Sequence, residues 1–424
     1  MNKKFAVPRG TSDILPDSIP LWEALESKAR KVCKSYGYRE IRTPIFEDID
    51  LFKRSLGQTS DVVNKQLLEL ASGKQEAGGL ALRPEGTAAI VRSYIENSLD
   101  GKESLSKLFY LGSMFRGERP QKGRLRQFHQ IGVEAIGPNS TCGYLDAEMM
   151  ALAMHLLKEL GVQDPQLKIN SLGSKEDKAN IAAWLRGRMA EHKNDLCEDC
   201  QSRFERNVFR VLDCKKESCR KLTAQVVKNL PLSVQSQQYF DQVRAALTSI
   251  GVAFEVAPHL VRGLDYYTHT VFEITAEGLG SQDAVGAGGR YDGLVHELGG
   301  NEKIDYGAMG FALGIERILL AQDAEHAQSV QSSLDVFVIA MKEEYQPQAF
   351  LLLQQLRQSG ISANMSFSPG SMKSQMGRAN KANARFALIL GEEEMKNNTV
   401  ALKDMSTSQQ EIVAQENIVS RIKN

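Results

Sequence analysis

Two runs of bulky and aromatic residues, KLFYLGSMFR (107–116) and FHQIGVEAIG (128–137), bracket a short charged stretch in which Gly123 sits at the middle. Runs of this kind favour extended chain, and a glycine-bearing loop between them predicts two strands joined as a hairpin. The loop side of this hairpin, FRGERPQKGRLRQFHQ, carries Arg116, Arg119, Lys122, Arg124 and Arg126 against a single carboxylate, Glu118. The whole chain balances 52 basic with 52 acidic residues, so any attraction for an anion must come from a local patch of this sort rather than from a global field.

With 424 residues, 42% hydrophobic and 25% charged, the chain has the composition of a globular protein of two or three domains. The segment MNKKFAVPRGTSDILP meets Pro8 and Pro16 before any apolar run of signal length. No later stretch approaches the roughly 20 apolar residues of a membrane helix, so a cytoplasmic protein without membrane contact is expected.

Upstream of the hairpin, Leu21, Leu25, Val32 and Tyr36 recur at helical spacing up to Gly37, and YREIRTPIFED reads as a strand ending at Pro44. Residues from about Leu145 to Leu160 form an amphipathic helix. The stretch from about 171 to 249 is charged, helical in pattern and cysteine-bearing, and reads as an insertion. Strands resume with FEVAPHLVRG, YYTHTVFEITAEG and AVGAGGRYDGL, and GAMGFALGIERILLAQ turns from strand to helix near Gly314. AEHAQSVQSS reads as a linker. Beyond it LDVFVIAMK, YQPQAFLLLQQLRQSG, ISANMSF, SMKSQMGRANKANAR and FALILGEEEM alternate strand and helix, predicting a small α/β domain with a mixed sheet. The expected domains are therefore 1–325 and 332–424.

Guanidinium groups match phosphate oxygens in planar, bidentate geometry, so Arg116, Arg119, Arg124 and Arg126 beside the ring of Phe128 suit a nucleotide; the alternative is a solvated loop. AVGAGGRYDG lacks the terminal lysine of a phosphate-binding loop and opens no long helix. In ALRPEGTAA, Glu85 and Thr87 offer acceptors suited to an ammonium group, with helix capping by Thr87 as the alternative. LVRGLDYYTHTVFEI groups Arg262, Asp265, Tyr266 and Tyr267, where an arginine is often simply one half of an ion pair. The spacing C-x2-C-x13-C-x4-C of Cys197, Cys200, Cys214 and Cys219 can hold a tetrahedral zinc; the expectation set against it is four reduced thiols and no metal.

Taken together these stretches become specific. FRGERPQKGRLRQFHQIGVE resembles motif 2 of the class II aminoacyl-tRNA synthetases, GAMGFALGIERILL resembles motif 3, and the helix and strand ending at Pro44 resemble motif 1, in the family's order. LVRGLDYYTHTVFEI and AVGAGGRYDGL look like the two signatures of the histidyl-tRNA synthetases, and the likeness extends from PRGTSDILP into the terminal domain. The resemblance implies an α+β fold, an antiparallel sheet flanked by helices with a helical insertion and a C-terminal α/β anticodon-binding domain. It implies a ligase that joins histidine to ATP as histidyl-adenylate and transfers it to the 3′ end of tRNA(His).

By that resemblance Arg116 holds the α-phosphate, Glu118, Arg124 and Phe128 complete the ATP site with Phe128 stacked on adenine, and Arg317 grips the γ-phosphate. Arg262 is the further catalytic residue, touching substrate carboxylate and α-phosphate. Glu85, Thr87 and Gln130 match residues that bind the α-amino group, and Glu134 and Tyr267, with Tyr266 beside it, match those facing the imidazole. Magnesium is expected with ATP, and a symmetric homodimer through motif 1. Gly117 stands where a histidine often follows the motif 2 arginine.

Lys373, Arg378, Lys381 and Arg385 in SMKSQMGRANKANAR are expected to face tRNA, with no role for DNA. Three rival readings are a regulatory paralogue that normally lacks the terminal domain, a class II synthetase for threonine or proline, and a generic RNA-binding protein. The terminal domain speaks against the first, the two signatures against the second, and the combination of Glu85, Gln130 and Glu134 with phosphate-binding arginines against the third.

Overall fold

The two bulky runs form β5 (Ser106–Phe115) and β6 (Gln127–Pro138), paired antiparallel from Ser106↔Ile136 to Phe115↔Gln127. The computed structural model describes residues 5–57, 60, 62–71, 79–121, 123–277, 279, 283–322, 334–368 and 370–423; Lys122 and the linker at 323–333 lie outside these. The described chain divides into two compact units, Met1–Ser329 and Val330–Asn424. Among the described residues no helix is long and apolar enough to cross a membrane.

In the first unit, β6 continues antiparallel into β11 (Tyr306–Gly314), β10 (Ala284–Arg290), β9 (Thr268–Thr275) and β7 (Gln166–Ser171). Two-residue strands, β1 (Arg39–Glu40) beside β5 and β8 (Glu255–Val256) beside β7, close the edges of this eight-stranded sheet in parallel fashion. The first edge lies within the short strand expected up to Pro44, and the second is much shorter than FEVAPHLVRG predicts: Pro258 interrupts that run, and a residue without an N–H cannot extend a ladder. After Pro44 the chain starts a separate small sheet of β2 (Phe46–Asp48), β3 (Leu68–Leu70) and β4 (Leu80–Leu82).

Because strand side chains alternate between faces, β6 divides cleanly. Ile131, Val133 and Ala135 are buried on one face together with Phe109, Phe272, Phe311 and the helices α1 (Ile19–Ser35), α4 (Gly143–Glu159) and α9 (Val234–Ser249). Burying each of these larger side chains is worth roughly 1.5–3 kcal/mol. Phe128, Gln130, Gly132, Glu134 and Ile136 alternate with them and belong to the opposite face. There the core is completed by α2 (Ile49–Leu56), α3 (Thr87–Glu96) and the short helices α5 (Lys175–Met189), α6 (Glu198–Arg206), α7 (Phe209–Leu212) and α8 (Glu217–Val226). The helical stretch of 171–249 thus serves two layers: α5 to α8 cover the second face, while α9 packs with α4 on the first.

A buried ion pair ties the layers together. Arg290 on β10 reaches Asp146 on α4, both side chains fully buried, and donates to Asp292 at 2.8 Å. Removing one partner from such a pair typically costs about 3–5 kcal/mol, because the other is left as an uncompensated charge.

The second unit holds β12 (Leu334–Ala340), a helix Gln346–Gln358, β13 (Ala363–Met365), a helix Met372–Lys381 and β14 (Ala384–Leu390). β13, β12 and β14 run parallel, and β15 (Thr399–Asp404) and β16 (Gln410–Ala414) add antiparallel strands, giving the expected mixed sheet. One expectation is corrected here. The basic helix ends at Lys381, Asn383 adopts a left-handed φ of 49°, and Arg385 therefore lies on β14 rather than on the helix with Lys373, Arg378 and Lys381.

Candidate active site

The second face of the sheet opens into a cleft walled by the β5–β6 hairpin, β9 to β11, the start of α3 and residues of the α6–α8 segment. Most of the residues singled out in the sequence line it: Glu85, Thr87, Arg116, Glu118, Arg124, Phe128, Gln130, Arg262, Tyr266, Tyr267 and Arg317. Lys373, Arg378, Lys381 and Arg385 belong to the other unit and are all exposed there.

One group in the cleft is cationic. Arg116 follows the end of β5, donates through Nε to the Pro84 carbonyl at 2.9 Å, and lies over the Phe128 ring at 5.2 Å. Arg317, third residue of α11 (Ile315–Ala321), donates through Nε to the Gly123 carbonyl at 2.9 Å, so the helix after β11 holds the hairpin loop. Burial lowers the pKa of Arg317 below its ordinary value, and the nearby cations Arg124 and Arg116 lower it further, with Glu118 as partial offset. Burial likewise lowers that of Arg116. Glu118 faces Arg124 at 3.3 Å. Guanidinium groups that desolvate and repel one another in a water-poor wall are stabilised by an anion between them.

A second group is a buried polar cluster. The carboxylate of Glu85 accepts from the backbone N–H of Thr87 at 2.6 Å and of Ala88 at 2.9 Å, so it is Glu85, not Thr87, that satisfies the first turn of α3. The Thr87 hydroxyl donates to Glu134 at 2.7 Å, and the Tyr291 hydroxyl donates to the other Glu134 oxygen. Burial raises the pKa of Glu134 to about 8 and raises that of Glu85 as well. Gln130 Oε1 is buried without a protein partner among the described residues.

Glycines make room for this cluster. A Cβ on Gly310 would stand 1.6 Å from Glu134 Oε2, and one on Gly132 or Gly86 would fall 2.0 or 2.2 Å from the Tyr110 ring wedged between them. The glycine run of β10 has the same purpose: a Cβ on Gly289 would meet Tyr267 at 2.8 Å. AVGAGGRYDG is thus a strand packed close to its neighbours, in keeping with its poor match to a phosphate loop.

Glu134, expected to face the imidazole, lies beneath the cleft floor, bound by Thr87 and Tyr291 and 1% exposed. Tyr267 and Tyr266 pack edge to face at 4.6 Å, and Tyr266 meets Tyr291 at 5.6 Å, so a wall of three rings stands over the carboxylate. Burial pushes the Tyr267 hydroxyl up to about 12, which keeps it a donor at neutral pH.

Four neighbours of the cleft residues escaped the sequence reading. Arg262 forms an ion pair with Glu273 of β9 and also lines the cleft. Tyr291 sits in the quoted GGRYDG, and Glu316 in GIERILL. Glu316 accepts from the backbone N–H of His129 at 3.0 Å and meets its ring Nδ1 at 2.8 Å, locking α11 to β6, while Trp22 packs on that ring at 4.9 Å. Lys178 of α5 donates to the carbonyls of Asp265 and Tyr267, both at 2.8 Å, fixing the segment that carries the tyrosines.

This arrangement has close counterparts among known proteins. Residues 10–318 match the family Histidyl-tRNA synthetase, and residues 335–424 match the family Anticodon binding domain. The chain belongs to the histidyl-tRNA synthetase family. It is 44% identical to a histidine–tRNA ligase of Geobacillus sp., with 99% of each chain covered, and 44% identical to one of Natranaerobius thermophilus, with 98% of each covered. Among solved structures it superposes on apo histidyl-tRNA synthetase of S. aureus with a TM-score of 0.79 at 34% identity, covering 99% of this chain and all of that one. The α+β fold expected of the family, an antiparallel sheet flanked by helices with a C-terminal sheet domain, is the fold observed.

Proposed function

We propose that the cleft activates histidine with ATP and that the chain then transfers the histidyl group to the 3′ end of tRNA(His). The observation that carries this reading is the meeting, in one cleft, of the cationic wall of Arg116, Arg124, Arg262 and Arg317 with the acceptor set of Glu85, Thr87 and Gln130. Arginines match phosphates; acceptors match an ammonium group. Family membership over the whole chain supports the same chemistry.

In the first step a carboxylate oxygen of histidine attacks the α-phosphorus of ATP, the bond to the bridging α–β oxygen breaks, and pyrophosphate leaves. Arg116 and Arg262 neutralise charge at the α-phosphate, Arg317 holds the γ-phosphate, Glu118 and Arg124 frame the triphosphate, and Phe128 stacks on adenine. Glu85, Thr87 and Gln130 receive the α-ammonium group. Glu134, held by Tyr291, and Tyr267 with Tyr266 read the imidazole, one as acceptor for a ring N–H and the other as a phenol, so side chains lacking either nitrogen leave a buried polar group unpaired. In the second step a hydroxyl of the terminal ribose of tRNA attacks the carbonyl carbon and AMP departs.

Magnesium enters with ATP in this reading. Glu118 and Glu273 line the cleft and offer the hard carboxylate oxygens it prefers, where it would offset the charge of the leaving pyrophosphate. The exposed apolar side chains Ile19, at the start of the motif 1 helix, and Ile45 and Phe46, just beyond Pro44, suit a symmetric homodimer in the cytoplasm. The unit matching the anticodon-binding family supplies the tRNA contacts, with Lys373, Arg378, Lys381 and Arg385 on its surface, and its presence favours a charging enzyme over a regulatory paralogue. Charging of tRNA(His) with radiolabelled histidine tests the proposal. Charging is the expected result; histidine binding with no charging would favour the paralogue.

A further inference from the structure

The α6–α8 segment has an unusual interior. Its helices are nine, four and ten residues long, below the roughly 12–15 residues at which isolated helices become stable. The buried residues of α6 are Cys200 and Phe204, and those of α8 are Cys219 and Thr223. Half of what these two helices bury is therefore thiol, with Val211 and Leu212 of α7 supplying apolar surface beside it.

The fold brings those thiols to one point. Cys197 stands immediately before α6, Cys200 in its first turn, Cys214 just after α7 and Cys219 in α8, and the four sulfur atoms all lie within 4.8 Å of one another. Four thiolates around a zinc ion at 2.3 Å stand about 3.8 Å apart, so closure needs at most an ångström or so of contraction. Cys197 and Cys214 are already 3.9 Å apart at sulfur. Disulfides would instead draw the sulfurs into two pairs, near 2.05 Å within each pair.

Backbone N–H groups also point at the sulfurs. Cys197 donates to Cys219 at 3.3 Å, Cys200 donates to Cys197, and Lys216 donates to Cys214. Such donors orient and stabilise thiolate ligands from outside the metal shell.

We propose that Cys197, Cys200, Cys214 and Cys219 bind one zinc ion as four thiolates, and that this ion is the core of the α6–α8 segment. Binding releases the thiol protons to solvent, with no change of oxidation state. A set of four cysteines is closed, with no open position for substrate, so the ion is structural. Its consequence reaches the cleft, since Cys197 and Cys214 line it together with Arg203, Arg210, Lys215 and Lys216. The ion fixes where that basic rim stands. The proposal departs from the expectation of four reduced thiols and no metal, which the spacing alone leaves open.

Elemental analysis of the full-length, untagged protein, prepared without chelator, tests the proposal. About one zinc per chain is expected in the unsubstituted protein and in Cys142→Ser, whose thiol is outside the cluster, with loss of most of it in Cys197→Ser/Cys214→Ser. Should that double variant fail to fold, titrating the unsubstituted protein with a thiol-binding mercurial releases its zinc in step with the four thiols. Cys214→His is expected to retain zinc, because histidine can replace one cysteine in a tetrahedral site. Iron in place of zinc, protein that takes up no zinc when supplied with it, or a double variant that keeps its zinc would each overturn the proposal.

Discussion

Beneath the cleft floor Glu134 is 1% exposed with Thr87 and Tyr291 bonded to its two oxygens, and in the cleft Arg262 leans on Glu273. On the C-terminal unit, Lys373, Lys381 and Arg385 stand exposed, and Arg385 merely lies over the Phe386 ring at 4.8 Å. The first region spends folding free energy to hold ionisable groups away from water at fixed positions, whereas the second keeps its charge solvated. Buried, oriented charge acts on one small substrate at short range; solvated charge acts on a polyanion, weakly per residue and in a salt-dependent way. Substitutions in the two regions should therefore differ in size, in what they affect and in how salt changes them.

The largest effect is expected for Arg262→Ala, which should lower histidine-dependent ATP–pyrophosphate exchange ~10²–10³-fold, the usual loss for a group that stabilises transition-state charge. Exchange within a few-fold of the unsubstituted protein would remove Arg262 from the mechanism and leave it as the partner of Glu273. Next, a chain ending at residue 329 should keep exchange within a few-fold yet lose tRNA charging by ~10² or more, since phosphate and base contacts of the second unit are gone. Equal loss of both activities would erase the division of labour.

Glu134→Gln and Tyr291→Phe come third: a rise in KM for histidine of ~10–100-fold with ATP binding retained, as expected when a buried hydrogen-bond pair is broken. Glu134 also carries a pH signature. Burial raises its folded pKa from the usual carboxylate value of 4.5 to about 8, so the stability it contributes is complete below pH 4.5 and is lost as pH rises through 8. Each unit of that interval is worth about 1.4 kcal/mol. Urea unfolding from pH 5 to 8 should show the unsubstituted protein losing stability relative to Glu134→Gln; parallel curves would contradict the assignment.

The smallest effect is expected for Lys381→Glu, a ~3–10-fold weakening of tRNA use that shrinks as salt rises and leaves exchange untouched. A loss that is independent of salt would mean that Lys381 reads shape or base rather than phosphate.

How much of this was legible in the sequence follows from the same contrast. The β5–β6 hairpin was readable because aromatic and branched residues dominate both strands, and the register then followed from pairing. β8 falls short of the run FEVAPHLVRG because Pro258 offers no N–H to the ladder, whereas β1 lies inside the short strand expected up to Pro44. Arg385 was put on a helix because nothing in GRANKANAR marks the left-handed turn at Asn383 except the asparagine itself. The residues to which the resemblance gives a role converge on the cleft, with Glu134 beneath its floor, while Glu273, Tyr291 and Glu316, inside the same motifs, were not legible because each acts through a partner brought near by sheet pairing or by the turn into α11. The cysteines show the limit best: their spacing left metal and free thiol open, and only the convergence of α6, α7 and α8 put the sulfurs within 4.8 Å.

The central claim is that the cationic wall and the buried acceptors form one histidine-activating site. ATP–pyrophosphate exchange by the full-length protein, measured with each amino acid in turn, tests it most directly. Exchange with histidine and with no other amino acid is the predicted result; exchange driven by threonine or proline, or none with histidine, would contradict it.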